Sequence, residues 1–322
     1  MTTTTSGTDQ PFALASMRRR AMGSVLLAIV VLTLMDAGIK QLTVSYGTPQ
    51  ILVMRYCSGL LFAVVIFFWL FATAKLGLPS WKSVSRSFQR SLLITAVAGC
   101  FFYALSVIPL AEATAIAFTA PLHIAVLGWL VLKEPVGGTT WIAILVGLLG
   151  VAIISSTAFA NDTAFSGALS GYIAASIASL CYAMVLILTR KHAASDPVPS
   201  MIMMQTGFAA LFATPFLLLA LAGFAVDGRP AVMIDLPTLW LVLGIGFLGT
   251  VGHLFMAYGF KHAPAGELGP LEYTSLIWAV FYGFVFFGEV PGLRMLIGSA
   301  LIVAGTMLVM RKGKVGTVVE AS

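Results

Sequence analysis

Two stretches of this chain, residues 102–153 and 257–308, match each other without a gap at a constant shift of 155 positions. Corresponding positions lie five long apolar segments apart, and an odd number of crossings would turn the second copy upside down in a bilayer. The chain is therefore predicted to contain an inverted repeat. The matched pairs are Pro109 and Pro264, Glu112 and Glu267, Thr119 and Thr274, Glu134 and Glu289, and Gly150 and Gly305.

Composition places the chain in a membrane. Hydrophobic residues make up 59% of the sequence and charged residues only 9%, whereas soluble domains carry about 25% charged residues. A soluble chain of 322 residues would need far more surface charge. The 31 glycines indicate helices that pack closely in lipid, because small residues let backbones approach one another.

Ten segments are long and apolar enough to cross a bilayer as helices, since a crossing needs about 20 mostly apolar residues. We number them spans 1 to 10. They cover residues 21–43, 50–72, 91–110, 113–132, 139–157, 167–189, 200–222, 237–260, 266–287 and 291–310. Strands are excluded, because segments of this length lack the alternation of a membrane barrel.

The predicted fold is an all-α integral membrane protein with ten transmembrane helices, arranged as two inverted five-helix repeats around a central cavity. The first repeat covers residues 21–157 and the second covers residues 167–311. Tails of residues 1–20 and 312–322 flank them. The apolar run of span 1 is too long for a signal peptide, and we expect it to be retained.

Basic residues orient the chain, because lysine and arginine are retained on the cytoplasmic side. With the N-terminus inside, 14 of the 18 lysines and arginines are cytoplasmic, two lie within helices and two are external. Both termini are thus predicted to be cytoplasmic, in a bacterial-type inner membrane, with the 158–166 loop outside. The net charge of +6 reflects this bias and requires no nucleic-acid partner. The three cysteines are isolated and suggest neither disulfides nor a metal site.

Short motifs at the ends of the spans carry a family resemblance. The first repeat contains Pro-Leu-Ala-Glu-Ala at 109–113, Thr-Ala-Pro at 119–121 and Leu-Lys-Glu-Pro at 132–135. The second contains Ala-Pro-Ala-Gly-Glu at 263–267 and Gly-Glu at 288–289. Over residues 20–311 the chain resembles two EamA domains of the drug/metabolite transporter superfamily.

The resemblance implies two inverted five-helix halves and a cavity lined mainly by spans 1, 3, 4, 6, 8 and 9. It implies transport of small solutes, without enzymatic chemistry and without a cofactor. Similar members are associated with aromatic amino acids, S-adenosylmethionine or riboflavin. The expected partners are a small-molecule substrate and the lipid bilayer, and a homodimer is left open.

Charges inside apolar spans are the first candidate site residues, because one charge near a helix centre costs ~2.5–3.5 kcal/mol by insertion scales. Asp36 and Lys40 share a face of span 1, and Arg55 in span 2 lies at a similar depth to Asp36. The simplest interpretation is an Asp36–Arg55 pair, with Lys40 reaching outward to the membrane surface. The alternative is that Asp36 contacts substrate or a coupling cation when the pair opens.

A second constellation lies toward the cytoplasmic side. His253 near the end of span 8 and Glu272 near the start of span 9 are at comparable depth, and Glu272 replaces Ala117 of the first repeat. Because histidine titrates near physiological pH, the two are predicted to form a substrate-recognition or proton-coupling site, or else an inert pair inside the bundle. His123 in span 4, just after Pro121, is a further candidate that could face the cavity, or else a hydrogen-bonded histidine of the interior.

Aromatic and acidic residues near the span ends complete the candidates. Planar solutes stack on aromatic rings and cations favour their faces, although most membrane aromatics only pack or anchor. The candidate rings are Tyr103, Tyr182, Tyr258, Tyr273 and Trp278. The repeated glutamates are interpreted as structural, with Glu112 and Glu267 at helix N-termini and Glu134 and Glu289 at the water interface.

These observations predict a secondary transporter that moves a small organic metabolite by alternating access. The cavity would suit an amino acid, an amine, a nucleoside-like or a flavin-like solute. The alternative is an intramembrane enzyme or receptor that uses the same buried polar groups. The sequence lacks a clustered catalytic motif such as His-Glu-x-x-His, and this absence favours the transporter.

Overall fold

The chain folds into helices throughout the part that the structure describes. This computed structural model describes residues 9–74, 81–132, 138–156, 165–191, 198–222, 232–262, 268 and 271–312, and none of these forms a strand. The helices are α1 (Asp9–Leu42), α2 (Thr48–Ala74), α3 (Trp81–Val107), α4 (Leu110–Ala117), α5 (Ala120–Leu132), α6 (Gly138–Ser155), α7 (Phe165–Lys191), α8 (Val198–Leu221), α9 (Leu236–His262), α10 (Thr274–Phe287) and α11 (Leu293–Lys312).

The predicted all-α class is confirmed for the described residues, and the length and apolar character of the helices support their placement in a membrane. Seven stretches are long and apolar enough to cross a membrane, one of them being Leu110–Leu127, which runs from α4 into α5. Three further apolar helices, Trp141–Ser155, Thr274–Phe287 and Leu293–Leu308, have fewer than 18 residues. The described residues therefore supply seven full-length candidate spans rather than the ten predicted.

Two helices begin earlier than the apolar pattern indicated. Helix α1 begins at Asp9 instead of residue 21, and α3 begins at Trp81 instead of residue 91. Lysine and arginine are good helix formers, so charge marks the edge of the hydrocarbon without ending the helix. Glu134, Glu267, the 158–166 loop and the C-terminal tail lie wholly or mainly outside the described residues.

The fourth span is broken rather than continuous, because α4 ends at Ala117 and α5 begins at Ala120. Pro121 has no N–H group and cannot bond the carbonyl of Ala117 as a helix requires. That carbonyl instead accepts a hydrogen bond from the hydroxyl of Ser179 at 3.3 Å. The break was not predicted from the sequence, although Pro121 was its signal.

The ninth span is interrupted at the equivalent position. Tyr273, which corresponds to Phe118 at the shift of 155, forms a turn just before α10. The Leu276 N–H bonds the Tyr273 carbonyl at 3.2 Å, a tighter spacing than that of an α-helix. The rings of Phe118 and Tyr273 meet edge to face with centroids 5.1 Å apart. Two corresponding interruptions thus touch each other.

Helix contacts follow the same correspondence between the two halves of the chain. In chain order, α1, α2 and α3 of the first half correspond to α7, α8 and α9 of the second. The contact of α1 with α9 therefore corresponds to that of α7 with α3, and the contact of α2 with α9 corresponds to that of α8 with α3. Helix α1 also contacts α10, as α7 contacts α4 and α5. The remaining large contacts join corresponding helices directly: α2 with α8, α4 with α10, and α6 with α11.

The contact of α6 with α11 depends on glycine. A Cβ on Gly150 would lie 2.6 Å from the carbonyl of Gly298, and a Cβ on Gly298 would lie 2.6 Å from the carbonyl of Gly150. A Cβ on Gly305 would lie 2.7 Å from the carbonyl of Ala143. The backbones approach so closely that any side chain would separate the helices, which is the packing that membrane helices favour.

Candidate functional site

The bundle has two ends, which we name by their lysines. The Lys40 end contains the turn from α1 to α2, residues 108–109 and residues 288–292. The Lys261 end contains the end of α9 and the start of α3. Lys40 and Lys261 are both in the last turn of their helices.

Arg55 lies where α1, α2 and α9 meet. Its side chain is 7% exposed, and its Nε donates to the sulfur of Met35 at 3.2 Å. A Cβ at either Gly59 or Gly249 would collide with the guanidinium, so these glycines make room for it. Neither terminal nitrogen of Arg55 has a hydrogen-bond acceptor among the described residues.

Asp36 on α1 is close enough to Arg55 for electrostatic attraction, as the depth of the two residues predicted. The expected ion pair is not formed, because no salt bridge or hydrogen bond joins these two described side chains. Asp36 as a residue is partly exposed, and its carboxylate likewise makes no hydrogen bond within the described chain. The two opposite charges therefore lie near each other with no contact of 4.0 Å or less between them, and we call the space between them the gap.

His253 joins this group from α9. It lies one turn after Gly249, on the face that meets Arg55, and it is close enough to interact electrostatically with the guanidinium. Its Nδ1 lies 2.6 Å from the carbonyl oxygen of Gly249. Because a carbonyl only accepts, Nδ1 carries the proton and Nε2 remains available to a ligand. The side chain is exposed.

Glu272 belongs to a different group. Its carboxylate interacts electrostatically with Tyr182 on α7 and with the neighbouring Tyr273. No hydrogen bond or ion pair connects Glu272 with His253 in the described chain, so the predicted pairing is not present here. The two residues share a depth, but their side chains face different neighbours.

Lys40 forms an ion pair that the sequence did not predict. Its Nζ lies 3.0 Å from Oε1 of Glu289 and donates to the carbonyls of Leu105 at 3.1 Å and Ile108 at 2.7 Å. Oε2 of Glu289 accepts the N–H of Leu110 at 2.9 Å. The expected outward reach of Lys40 is therefore wrong: the lysine binds the carbonyls that α3 leaves free at its C-terminus.

Glu112 lies beside this pair at the start of α4, where its charge also suits the positive end of the helix. Its Oε2 accepts a 2.5 Å hydrogen bond from the hydroxyl of Tyr172 on α7. A small cleft separates Glu112 from Glu289, with Pro109 and Gly283 among its lining residues. These contacts connect α1, α3, α4, α7 and the segment after α10 at the Lys40 end.

His123 is part of a small network at the break between α4 and α5. Its Nδ1 lies 3.1 Å from Oγ of Ser179, which also lies 2.9 Å from Oγ1 of Thr119. Ser179 is 2% exposed. The network supports the interrupted backbone, which is the satisfied interior role that the sequence left open for His123.

The remaining candidate rings lie apart from these groups. Tyr103 bonds Ser170 through its hydroxyl at 2.8 Å, which links α3 to α7. Tyr258 is exposed, and its ring centroid lies 4.2 Å from that of His262 near the Lys261 end. Trp278 packs with Phe281 and Tyr282 in α10. Nothing in these contacts gathers the three rings into one site.

Sequence reasoning missed the partners of Lys40 and the role of Ser179. Depth matching was applied to Asp36 and Arg55 but would equally have paired Lys40 with Glu289, since both lie at the predicted external ends of their spans. Ser179 carried no motif. The sequence indicated a need for such a hydroxyl only through Pro121, which leaves the carbonyl of Ala117 on α4 without a partner in its own helix.

The helices, the buried charges and the corresponding breaks are typical of a multi-pass membrane transporter. The sequence profile of the EamA-like transporter family matches residues 19–156 and again residues 169–311. The chain belongs to the EamA-like transporter family, whose members are transporters and not enzymes.

Individual relatives agree with this assignment. The chain is similar to an uncharacterised transporter of Helicobacter pylori strain 26695, with 29% identity over 88% of this chain and 92% of the relative. It is also similar to a pseudopaline exporter of Pseudomonas aeruginosa strain UCBPP-PA14, with 25% identity over 90% of this chain and 96% of the relative.

A solved crystal structure shares the fold, with a TM-score of 0.58, 20% identity, and coverage of 91% of this chain and 96% of that one. The family match makes the chain a membrane transporter.

Proposed function

We propose that this chain carries a small organic metabolite across a bacterial-type inner membrane by alternating access, using inverted repeats of residues 21–157 and 167–311. The corresponding breaks in the fourth and ninth spans are the observation that carries the proposal. In inverted-repeat transporters, discontinuous helices meet at the interface of the repeats, and the substrate and coupling-ion sites lie near the midplane at that interface. The pairwise correspondence of the helix contacts adds support.

The state of the two ends supports an alternating cycle. At the Lys40 end, the Lys40–Glu289 ion pair and its backbone hydrogen bonds connect α1, α3 and α4 to the segment after α10. Toward the Lys261 end, the side chains of His253 and Tyr182 remain exposed. Separation of Lys40 from Glu289 would open the Lys40 end and expose the site to the other side.

The substrate site is proposed at the unpaired charges Asp36 and Arg55, together with His253. Glu272, Tyr182 and Tyr273 form a second polar group on the same path, and a coupling ion would bind there. Lining roles for Tyr103, His123, Tyr258 and Trp278 remain predictions. An intramembrane enzyme is disfavoured by the family. A receptor would require binding without translocation.

Counterflow in proteoliposomes tests the proposal. Vesicles preloaded with an unlabelled solute should accumulate the labelled solute from outside, and the solutes to be tested are amino acids, amines, nucleosides and flavins. Vesicles that contain the Asp36→Asn variant serve as the control and should accumulate much less. Saturable binding without counterflow in any of the four classes would contradict transport and support the receptor alternative.

Orientation is tested by labelling in intact cells. The cytoplasmic bias of basic residues places the Lys40 end outside. Met233→Cys, at a position 92% exposed before α9, should react with an impermeant thiol reagent in intact cells. Trp81→Cys, at a position 83% exposed at the start of α3, should react only after permeabilisation. The reverse pattern would invert the topology.

A further inference from the structure

Asp36 and Arg55 carry opposite charges, and neither forms an ion pair with another described side chain. The Arg55 guanidinium lies over the ring of Tyr56, with Cζ 5.7 Å from the ring centroid. Each group attracts the other electrostatically, yet no ion pair closes between them in the described chain. Uncompensated charges in a transmembrane bundle are costly and point to function. A side chain able to relax toward its counterion would have done so, so the packing around Arg55 must prevent it.

Packing holds the guanidinium in one place. It lies in the space left by Gly59 and Gly249, and its Nε is occupied by the sulfur of Met35. Thr250 fastens α9 to α2 beside it, since its hydroxyl lies 3.1 Å from the carbonyl of Gly59. The two terminal nitrogens are left without acceptors in the described chain. Such a fork matches the two oxygens of a carboxylate.

Asp36 presents the complementary group. Its carboxylate accepts no hydrogen bond from the described chain, so its oxygens are free to accept from a ligand. His253 adds a second acceptor at Nε2, because its Nδ1 proton is held by the carbonyl of Gly249. The site therefore offers donors on one side and acceptors on the other.

We infer that this gap binds the zwitterionic group of an amino-acid-like solute, with the carboxylate on Arg55 and the ammonium on Asp36. The inference rests on the proposed function and narrows its substrate class. A neutral nucleoside or flavin would leave both charges unpaired, and an amine would leave Arg55 unpaired. A zwitterion satisfies both and adds no net charge to the bundle.

Thermal-shift measurements on the purified protein test this inference with matched probes. The probes are the standard amino acids, and for each of them its decarboxylated amine and its deaminated acid, with uridine as a neutral planar control. At about 10 mM, at least one amino acid should raise the midpoint, because a ligand that binds only the folded state stabilises it. The affinity for each of its two single-charge analogues should be lower by a factor of about 10 or more.

The inference is overturned if no amino acid raises the midpoint, or if an amine, a deaminated acid or uridine stabilises as well as the best amino acid. Counterflow separates this result from failure of the proposed function. Exchange of nucleosides without amino-acid binding would reject the zwitterion and keep the transporter. Amino-acid binding without exchange of any solute would support the zwitterion site and reject the proposed transport.

Variants supply an internal test of each half of the site. Asp36→Asn should lower amino-acid affinity about tenfold and remove the preference over the deaminated acid, since only the ammonium partner is lost. A merely structural Asp36 would leave that preference intact. Asp36→Glu should recover part of it. An Asp36→Asn protein that still prefers the amino acid contradicts the assignment.

Two glycines on α9 form a matched pair for the Arg55 half. Gly249→Ala places a methyl group against the guanidinium, whereas a Cβ at Gly244 meets nothing within 4 Å. Amino-acid affinity should fall about tenfold in Gly249→Ala and stay unchanged in Gly244→Ala. Arg55→Lys keeps the positive charge but lacks the two terminal nitrogens, and it should bind the amino acid more weakly. This variant tests the same contact if Gly249→Ala fails to fold. Equal affinity in wild type and Arg55→Lys would exclude fork recognition.

Discussion

Lys40 and Asp36 lie one helical turn apart on α1, yet the structure treats their charges in opposite ways. Lys40 is fully engaged, with a carboxylate partner at 3.0 Å and two carbonyl acceptors. Asp36 faces Arg55 without closing a pair. A membrane protein tolerates a charge most readily when it is paired, so the satisfied lysine is consistent with a structural contact and the unsatisfied aspartate with a binding site.

The surroundings explain the difference. Lys40 has a flexible stem and sits where α3 ends and α4 begins, so free carbonyls and N–H groups are available nearby. Asp36 and Arg55 lie deeper, beside helix interiors whose backbone groups are already bonded. The ends of broken helices supply partners for charges, whereas continuous helices do not. Unpaired charge thus persists only where the backbone cannot relieve it.

Removal of one partner of the engaged pair should have the largest effect. Lys40→Met removes the counterion of Glu289 and the donor to the carbonyls of Leu105 and Ile108, so the free energy of unfolding should fall by about 3 kcal/mol. Denaturant unfolding in detergent measures this change. Lys40→Met combined with Glu289→Gln should regain part of the loss. An unchanged midpoint in Lys40→Met would show that the pair adds no stability.

Double-mutant cycles should separate the two pairs. The coupling free energy between Lys40→Met and Glu289→Gln should be about 2 kcal/mol, because these groups touch. For Asp36→Asn and Arg55→Gln without ligand it should be smaller, about 1 kcal/mol, because the two charges attract each other without a direct contact. Similar coupling energies for the two pairs would mean that Asp36 and Arg55 close together in solution, as their matched depth first suggested.

A methyl group beside the engaged pair should have an intermediate effect. A Cβ on Gly283 would lie 2.8 Å from Oε2 of Glu289, close enough to push the carboxylate away from Leu110. Gly283→Ala should destabilise the protein by about 2 kcal/mol, measured by the same unfolding experiment. Gly244→Ala, where the Cβ meets nothing, is the control. Equal stability of the two variants would contradict a tightly held Glu289.

The smallest effect is expected at the break between α4 and α5. Ser179→Ala removes the hydroxyl that satisfies the carbonyl of Ala117, at a cost of about 1 kcal/mol. Ser176→Ala, one turn before it on α7, removes a hydroxyl that bonds only the Tyr172 carbonyl of its own helix and should cost less. A larger loss for Ser176→Ala would place the support of the broken helix elsewhere.

Composition and the repeat were sufficient to predict an all-helical membrane protein, and the short motifs at the span ends indicated its family by resemblance. Depth along a helix could also be read, and it brought Asp36 near Arg55. The direction in which a side chain leaves its helix could not be predicted, and His253 therefore proved to lie near Arg55 instead of the expected Glu272. Partners from distant segments, such as Glu289 for Lys40, depend on how helices cross, and no local pattern records that.

The contact between Phe118 and Tyr273 joins two corresponding positions, at centroids 5.1 Å apart. If the two halves exchange conformations during a cycle, every contact between non-corresponding positions is replaced by the contact between their counterparts in the other half. A contact between corresponding positions maps onto itself. The two rings can therefore remain together while everything around them rearranges, and they are placed to act as the pivot about which the halves rock.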